Sequence, residues 1–445
     1  MSRADRRAQL PAAAEEGAVS GLTAAGEGVV HLGKTAFVAG ALPGERVRFR
    51  RTRRHRQHDD AQLLEVLEAA ASRVTPRCEH FGVCGGCVLQ HLDTHAQLIA
   101  KEAELRDSLT RVARVAPERW LAPLAGPPWG YRRRARLGVK FVRKKGCVVV
   151  GFRERAAPYV AQLKHCEVLS APAGALITPL AELIEGLSIR EQLPQIEVAV
   201  ADNATALVLR VLAAPSAADL ERLEAFAGAR NVRLYLQPGG LETVAPLGAP
   251  GEPLYYRLPR FDLQLQFLPT DFIQVNGPVN AALAERAVEL LELRHDSRVL
   301  DLFCGIGNFT LPLARHAGSV VGVEGDAALI ARARANAAGN GLANAEFHVA
   351  NLALPVADLP WARSAYTHVL LDPPRTGARE VLPALAAFAP ERLLYISCHP
   401  GSLARDLGAL VHEHGMTLEA AGVVDMFPHT AHVESLALLR PARSA

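Results

Sequence analysis

Hydrophobic and polar positions divide the chain into regions with different periods. From about residue 270 onward, short apolar runs alternate with amphipathic segments. The runs RVLDLF, VVGVE, HVLLDPP and LLYISC are largely apolar, which predicts strands buried on both faces of a sheet. The segments between them, such as ALIARARANAAGNG and VLPALAAF, space their apolar residues as helices do. This alternation predicts a doubly wound, Rossmann-like α/β sheet, whose ligands bind at the carboxyl ends of the strands.

Residues 17 to 70 instead form short β-rich runs separated by glycines. In ERVRFRRTR, Val47 and Phe49 fall on one face and arginines on the other, which predicts a strand with one cationic side. Short strands at this spacing predict a small β-barrel of the oligonucleotide-binding (OB) type. The stretch GEGVVHLGKTAFVAGALPGERV, residues 26–47, also resembles the TRAM domain of RNA-modifying enzymes.

The middle of the chain is mixed, with a predicted helix at THAQLIAKEAELRDSLTRVA and predicted strands at RARLGVKFV and QIEVAVA. The chain therefore separates into three predicted domains. They are a TRAM-like barrel in 1–70, a mixed α/β domain in 71–265 and the Rossmann-like sheet in 266–445. A length of 445 residues suits several hydrophobic cores of ordinary size.

Charge is distributed unevenly around a net value of +3. Residues 1–150 contain 26 Lys and Arg against 15 Asp and Glu, and the rest contains 23 against 31. Seven arginines fall within residues 46–56, and a second basic stretch, YRRRARLGVKFVRKK, follows later. This asymmetry predicts that the N-terminal part binds a polyanion, with a solvated basic face as the alternative. Tyr131 and Phe141 beside the second stretch either stack on bases or belong to the core.

Composition narrows the class of protein further. Hydrophobic residues make up 49% of the chain, yet no run approaches the length of a membrane span, and the N-terminus MSRADRRAQL lacks the apolar core of a secretory signal. We therefore expect a cytoplasmic protein that does not enter a membrane. The seven cysteines are few and odd in number, which favours metal binding or catalysis over a disulfide framework.

Three of the cysteines form a compact cluster in the segment CEHFGVCGGC. Cys78, Cys84 and Cys87 have C-x5-C-x2-C spacing, and glycines between them allow the chain to wrap tightly. Three thiolates at this spacing predict a metal site, with either zinc or an iron–sulfur cluster as the occupant. Such a site needs a fourth ligand from elsewhere in the chain.

A glycine-containing loop follows the first strand of the predicted sheet, in VLDLFCGIGNFT. Gly305 and Gly307 let the backbone approach a ligand closely, but no third glycine forms a pyrophosphate turn. Glu324 ends the next strand, where the ribose hydroxyls of a nucleoside bind in such sheets. The loop thus favours a nucleoside without a diphosphate, of which S-adenosylmethionine is the commonest cofactor. Asp301, at the end of the first strand, is predicted to hold the loop.

Two further strand ends carry candidate chemistry. Asp372 precedes two prolines in LLDPPRTG, and the prolines stiffen a loop in the cofactor crevice. Cys398 ends the apolar run in LLYISCHPGS. Taken alone, this cysteine is either a small buried residue of the core or a nucleophile held in a cleft.

The segments DPPRTGAREVLPALAAFAPERLLYISC (372–398) and DMFPHTAHVE (425–434) resemble the paired signatures of the uracil-C5 RNA methyltransferases. The resemblance covers nearly the whole chain and is strongest to the bacterial enzymes that act on 23S ribosomal RNA. It implies that Cys398 is the nucleophile that adds to C6 of uracil and that Glu434 is the general base. The chain departs from the family at His399 and Ser402, where Asn and Thr are usual, so the hydrogen bonding of the nucleophile loop differs.

The same resemblance implies the remaining ligands. It implies contacts with S-adenosylmethionine from six residues, which are Gln274, Phe303, Asn308, Glu324, Asn351 and Asp372. It also implies a [4Fe-4S] cluster with Cys166 as fourth ligand, whereas Cys147 is expected in the core. We further expect a monomer. Two alternatives stay open, namely the same reaction on another ribosomal uridine or on transfer RNA, and a non-catalytic RNA-binding factor stabilised by metal.

Overall fold

The computed structural model describes residues 13–155 and 157–442, which form two compact units. One unit contains the described residues up to 101 together with 428–432, and the other contains 102–427 and 433–442. The first twelve residues of the predicted TRAM-like domain lie outside the described residues. The division into three domains stays a prediction. Within the described chain, no helix combines the length and apolar character needed to cross a bilayer.

Five strands of the first unit form a closed barrel in the order β1-β2-β3-β5-β4. Their bounds are β1 (Glu15–Leu22), β2 (Glu27–Val30), β3 (Thr35–Ala39), β4 (Arg46–Arg54) and β5 (His58–Glu68). Val47 and Phe49 of β4 are fully buried in the barrel core, as the alternation predicts. The predicted OB-like barrel is therefore confirmed. Arg51 differs from the pattern because its side chain is buried in an ion-pair cluster.

The second unit begins with a six-stranded mixed sheet in the order β12-β11-β10-β9-β7-β8. The elements in this part of the chain are α1 (Thr94–Ser108), β6 (Arg119–Trp120), β7 (Arg134–Val142), β8 (Cys147–Gly151), α2 (Ile177–Glu185), β9 (Gln195–Val200), β10 (Thr205–Arg210), α3 (Ala217–Arg230), β11 (Val232–Gln237) and β12 (Ala245–Pro246). A π-helical turn, Leu109–Ala113, continues α1. Tyr131 is only 3% exposed, so it belongs to the core and is not available to stack on a base.

A hairpin and an eight-stranded sheet follow. Their elements are β13 (Leu254–Leu258), β14 (Leu263–Phe267), α4 (Gly277–Leu291), β15 (Arg298–Leu302), α5 (Thr310–Ala314), β16 (Ser319–Glu324), α6 (Ala327–Gly339), β17 (Ala345–Val349), β18 (His368–Leu371), α7 (Leu382–Ala387), β19 (Arg392–Ser397), α8 (Pro400–His412), β20 (Met416–Val424) and β21 (Glu434–Pro441). Short 3-10 helices comprise Ala173–Leu176, Leu241–Thr243, Pro259–Phe261, Pro360–Arg363 and Arg379–Val381.

The large sheet has the order β17-β16-β15-β18-β19-β21-β20-β6. Strands β15 to β19 are parallel, which confirms the predicted α/β sheet. Successive strand residues belong to two different cores, as Leu370 and Leu371 do, because side chains alternate between faces. Burial of both faces explains why these strands are apolar at nearly every position. Strands β20 and β21 add an antiparallel pair next to β19, which the sequence pattern did not predict.

Candidate active site

The predicted site residues of the large sheet lie at the carboxyl ends of its parallel strands. Phe303 follows β15, Glu324 is the last residue of β16, Asp372 follows β18 and Cys398 follows β19. The central strand β15 pairs with β16 on one side and β18 on the other, so three of these strand ends are immediate neighbours. The fold thus gathers residues distant in sequence at one edge, as the doubly wound topology requires.

Cys398 and Glu434 are brought together by the antiparallel pairing of β19 with β21. Ser397 pairs with Ser435, so the next opposite positions are those of Cys398 and Glu434. Glu434 is 4% exposed, and within the described part of the chain its carboxylate has no hydrogen-bond partner. Cys398 is half-buried. A buried carboxyl without such a partner, beside a partly accessible thiol, is the arrangement expected of reacting groups rather than of a core contact.

Burial and mutual repulsion raise the pKa values of this pair. Burial, then the nearby Glu434 and Asp372, raises the pKa of the Cys398 thiol from 9.0 to about 11, while Arg375 opposes the shift. Burial, and secondarily Asp372, raises the pKa of Glu434 from 4.5 to about 8. A carboxyl with a pKa near neutrality can hold or release a proton at working pH, which suits a general base.

Asp372 is oriented by Gln274, the other predicted residue with which it interacts directly. Gln274 Nε2 donates to Asp372 Oδ2 at 3.2 Å. Burial raises the pKa of Asp372 from 3.8 to about 7, and the Gln274 hydrogen bond opposes the shift. The fold thus brings Gln274 and Asp372 into contact, although they are 98 positions apart in sequence.

The glycine loop is held against the end of β16. Phe303 adopts a left-handed φ of 65°, and its N–H donates to Val323 O at 2.8 Å. One carboxylate oxygen of Glu324 accepts from Gly305 N at 3.3 Å, and the other accepts from Gly325 N at 2.6 Å. These bonds fix the Glu324 carboxylate at the mouth of the loop. A non-glycine residue in the left-handed region is a strained conformation of the kind found at ligand sites.

The far side of the loop is fixed by amide and hydroxyl groups. Asn308 exchanges two 2.9 Å hydrogen bonds with Asn280, and its Oδ1 also accepts from Tyr256 Oη at 2.8 Å. Thr310 Oγ1 donates to Asp301 Oδ2 at 2.5 Å, so Asp301 holds the loop as predicted. The side chain of Asn308 retains one N–H for a ligand. Asn280 and Tyr256 were not among the predicted residues, because nothing in their local sequence distinguishes them from helix and strand positions.

Asn351 is the predicted residue with the least structural support. It is exposed, and its Oδ1 accepts from Ala353 N at 3.0 Å within its own turn. It follows β17, the outermost parallel strand, rather than one of the three neighbouring strands that carry Phe303, Glu324 and Asp372. Its assignment as a cofactor ligand stays a prediction.

The residue after Cys398 caps the following helix. His399 precedes α8, and its Nδ1 accepts from Ser402 N at 3.1 Å. Ser402 Oγ donates to His399 O at 3.1 Å. The two residues that depart from the family pattern thus form hydrogen bonds with each other, and these bonds cap the start of α8.

A buried carboxylate ties the nucleophile region to the proline-containing loop. Asp406 of α8 is fully buried, and its Oδ2 accepts from Tyr395 Oη at 2.7 Å and from Ala378 N at 2.8 Å. Arg405 donates to the other oxygen of Asp406 and to Thr376 O. The elements on both sides of Cys398 are thereby fixed to the loop that carries Arg375. No local sequence signal predicts this network, since the partners are remote and of common types.

The cysteine cluster lies in the first unit. Gly82 has a φ of 91° and Cys84 N donates to His80 O at 3.0 Å, which close the loop between Cys78 and Cys84. Gly86 N donates to Cys84 Sγ at 3.4 Å. A backbone N–H that donates to sulfur and a tight glycine turn fit a loop that holds thiolate ligands.

Cys147 and Cys166 belong to the second unit. The backbone of Cys166 is held by its N–H donating to Gly174 O at 3.0 Å, and a Cβ at position 174 would lie 2.4 Å from Cys166 O. Only glycine therefore fits at position 174. Cys147 begins β8 and is half-buried, so it is more exposed than the expected core position.

Comparisons with known proteins agree on one family. The model described as tRNA (Uracil-5-)-methyltransferase matches residues 260–442. The chain is 52% identical over 437 residues to the 23S rRNA (uracil(1939)-C(5))-methyltransferase RlmD of Alkalilimnicola ehrlichii, covering 98% of each chain. It is 49% identical to the protein of the same name from Nitrosococcus oceani, covering 100% of each. The crystal structure of the Pyrococcus abyssi tRNA (uracil-54, C5)-methyltransferase in complex with S-adenosyl-L-homocysteine superposes with a TM-score of 0.74 at 24% identity, covering 95% of this chain and 99% of that one. This likeness confirms the predicted methyltransferase fold.

Proposed function

Because the chain belongs to the family of the RNA (uracil-C5)-methyltransferases, we propose that it transfers a methyl group from S-adenosylmethionine to C5 of a uridine in 23S ribosomal RNA. The observation that carries the proposal is the placement of Cys398 opposite the buried Glu434 at the carboxyl end of β19. The relatives at about half identity bear the name of this ribosomal activity, which supports the choice of substrate.

Addition of Cys398 to C6 makes C5 of uracil nucleophilic enough to attack a methyl group. The Cys398 thiol gives up its proton to solvent and its sulfur bonds to C6, so the C5–C6 double bond becomes an enolate with electron density at C5. S-adenosylmethionine, when bound, supplies an electrophilic methyl group. The raised pKa of the Cys398 thiol keeps it protonated in the ligand-free protein at neutral pH.

Glu434 completes the reaction by removing the C5 proton. After C5 has gained the methyl group, the carboxylate accepts this proton, the C5–C6 double bond re-forms and the bond from Cys398 Sγ to C6 breaks. After this step, Glu434 is protonated and Cys398 is released as a thiolate. Because burial raises the pKa of Glu434 to about 8, its carboxylate is a stronger base than that of an exposed glutamate, and it afterwards returns the proton to solvent.

The cofactor ligands are proposed among the residues that surround the glycine loop. The fixed Glu324 carboxylate suits the two ribose hydroxyls, and Gln274 with Asp372 suits polar groups near the reacting methyl. Phe303 offers a half-buried ring beside the loop. Asn308 and Asn351 complete the proposed set, the first through its remaining N–H.

We propose that Cys78, Cys84, Cys87 and Cys166 hold a [4Fe-4S] cluster. Three thiols in a glycine-closed loop with a backbone N–H donating to sulfur fit this group, and zinc is the alternative occupant of the same donor set. We propose that the cluster stabilises the protein. We also propose that a single chain is the functional unit.

RNA binding is proposed for exposed groups that lack partners among the described residues. Arg50, Arg53 and Arg56 make no ion pair there, whereas Arg46 and Arg48 pair with Glu16 of the same barrel. The first three guanidiniums are therefore available for phosphates. In the other unit, Phe272 is 70% exposed two positions before Gln274, and an exposed ring is available to stack on a base.

The test uses unmodified 23S ribosomal RNA labelled with [5-3H]uridine. With S-adenosylmethionine, the full chain is expected to release tritium and to leave 5-methyluridine at a single position in mass-spectrometric mapping. Transfer RNA labelled in the same way serves as the competing substrate, because the matching family model carries a transfer-RNA description. Release from transfer RNA alone would reassign the substrate, and release from neither would refute the enzymatic proposal.

A further inference from the structure

Three rings form a column on the outer face of the β-barrel. Phe37 of β3 stacks on His58 of β5 with centroids 4.2 Å apart, and His58 stacks on His55 with centroids 4.5 Å apart. The planes differ by only 23° and 21°. All three rings are half-exposed, and Phe37 alternates with the buried Ala36 and Val38, so the column faces away from the barrel core.

The open end of the column is the ring of His55. Within the described barrel, His55 stacks with no ring other than His58, and its side chain is 34% exposed. His55 and His58 flank the tight turn that joins β4 to β5, because His55 N donates to His58 O at 3.0 Å. The column therefore ends at the tip of a hairpin, where a further flat ring has access.

The hairpin under the column is rigid. Arg51 donates to Asp59 Oδ2 at 3.0 Å and to Glu15 Oε1 at 2.8 Å, and Lys34 donates to Asp59 Oδ1 at 2.7 Å. Lys34 also donates to the carbonyl of His55. Asp59 is 2% exposed, so these bonds form a shielded cluster. A ligand that binds the column therefore meets rings already held in place, which lowers the entropic cost of binding.

Two exposed arginines beside the column favour an anionic ligand, and they outnumber the one carboxylate that contacts it, Asp60, whose Oδ2 lies 2.9 Å from His55 Nε2. Arg53 lies opposite Asp60 in the β4–β5 ladder and so is on the same face as His58, and Arg56 lies in the turn between the two histidines. Both arginines are exposed and make no ion pair in the part of the chain that the structure describes. A flat ring surface beside such guanidiniums matches the two parts of a nucleotide, the base and its phosphate.

We propose that the Phe37–His58–His55 column is a stacking site for an unpaired base of the RNA substrate, with Arg53 and Arg56 on the adjoining phosphates. The inference rests on the proposed RNA substrate. It adds a specific contact to that proposal, made by residues far in sequence from Cys398 and Glu434. The competing occupant is a divalent metal ion, because ligand atoms of His55, His58 and Asp60 lie within 4.8 Å of one another. The concentration of arginines at the hairpin disfavours a cation there.

The test compares His55→Ala with His55→Phe in the full chain. The alanine variant removes the ring at the open end, whereas phenylalanine keeps a stacking surface but cannot bind a metal ion. We expect His55→Ala to weaken binding of an unmodified 23S ribosomal RNA transcript by about five- to a hundredfold, the loss typical of one base–aromatic stack. His55→Phe is expected to bind as the wild type does. His31→Ala, an exposed barrel histidine outside the column, serves as the matched control.

Three further readouts separate the possible outcomes. The stacking site predicts a raised KM for RNA with unchanged kcat in His55→Ala, and quenching of a single-stranded 2-aminopurine oligonucleotide by the wild type and His55→Phe only. Wild-type affinity in His55→Ala overturns the proposal. Weak binding by both variants, reproduced by treating the wild type with EDTA, overturns it in favour of metal. If the wild type forms no 5-methyluridine yet these binding differences persist, the proposed reaction fails while the stacking site stands.

Discussion

The pairing of Ser397 with Ser435 sets Cys398 and Glu434 opposite each other across β19 and β21. The two residues are 36 positions apart in sequence, and the intervening chain forms α8 and β20 before it returns. Register in an antiparallel pair is fixed along the whole ladder, so the position of the carboxyl relative to the thiol is set by the strands themselves. A nucleophile directly after one strand and a base at the start of its neighbour are held in a fixed relation, which suits sequential steps on one nucleobase.

Substitution of either residue is expected to stop the reaction at a different stage. Cys398→Ala cannot form the bond to C6, so we expect bound RNA and cofactor without adduct or product. Glu434→Gln keeps the thiol but cannot accept the C5 proton, so addition and methyl transfer proceed while elimination stalls. Denaturing electrophoresis with RNA and methyl-labelled cofactor should show a methylated covalent complex for Glu434→Gln only.

Two outcomes contradict these assignments. If Cys398→Ala turns over normally per folded molecule, the cysteine is a core residue whose loss costs only stability, about one to a few kcal/mol for a small cavity. If Glu434→Gln turns over without a trapped adduct, another group removes the proton.

The burial of Glu434 also predicts a pH-dependent difference in stability. Its folded-state pKa is raised from 4.5 to about 8, so its contribution to the free energy of unfolding is fully present below pH 4.5 and is lost as pH rises through 8. Glutamine cannot ionise. Urea unfolding of the ligand-free protein should therefore show Glu434→Gln gaining stability relative to wild type between about pH 5 and pH 9, by on the order of a few kcal/mol.

A surface glutamate provides the control for this measurement. Glu289 has a 68% exposed side chain on α4, where it pairs with Arg286, and Glu289→Gln is expected to change stability only slightly between about pH 5 and pH 9. A Glu434→Gln difference that does not change with pH would mean that the carboxyl is hydrated in the folded protein.

Much of the large sheet was predictable because strands buried on both faces are apolar at nearly every position. The predicted RVLDLF, VVGVE and LLYISC runs coincide with β15, β16 and β19 to within one or two residues. Parallel topology then required their carboxyl ends to meet, so the neighbourhood of Phe303, Glu324 and Asp372 followed from the pattern. The positions of Cys398 and Glu434 were inferred from family signatures instead.

The remainder of the site depends on contacts that leave no periodic signal. The alternation of apolar and polar residues does not specify which strand lies beside β19, so the burial of Glu434 was not foreseen; a glutamate on a strand is usually exposed. The same limit applies to Asp406, whose partners Tyr395 and Ala378 lie on different elements. Alternation placed the arginines of β4 outside the barrel but did not reveal which of them pair with Glu15 and Glu16.

The proposed cluster predicts a specific pattern of metal loss. Anaerobically purified protein should be brown and contain about four irons with labile sulfide per chain. Cys166→Ser is expected to lose the metal, because a thiolate ligand is replaced by a hydroxyl. Cys147→Ser, the matched control at the start of β8, should retain it. Stoichiometric zinc without sulfide would mean that the site holds zinc. Metal loss in Cys147→Ser but not in Cys166→Ser would mean that Cys147 is the fourth ligand.

The division of the arginine run predicts different salt dependence for two sets of variants. The triple variant Arg50→Ala, Arg53→Ala and Arg56→Ala removes guanidiniums that have no ion pair within the described barrel. The slope of log affinity against log salt should therefore fall by about 0.7 to 0.9 for each phosphate that the variant no longer neutralises. Arg46→Ala with Arg48→Ala removes guanidiniums already paired with Glu16, and this control should leave the slope nearly unchanged. Equal slopes for both variants and the wild type would show that the hairpin is only a solvated surface.

His399 allows helix capping to be separated from proton transfer at the nucleophile. Its Nδ1 accepts from Ser402 N, a role that an asparagine side chain can also fill. We therefore expect His399→Asn to match the wild type in both stability and single-turnover methyl transfer, and His399→Ala to lose about 1 kcal/mol of stability through the missing cap. Thermal unfolding and rapid-quench assays on the same preparations measure the two effects. A contrary result would be that His399→Asn is stable but slow, with a larger loss of rate when Glu434 is present than in a Glu434→Gln background. The imidazole would then carry a proton for Cys398 in addition to capping α8.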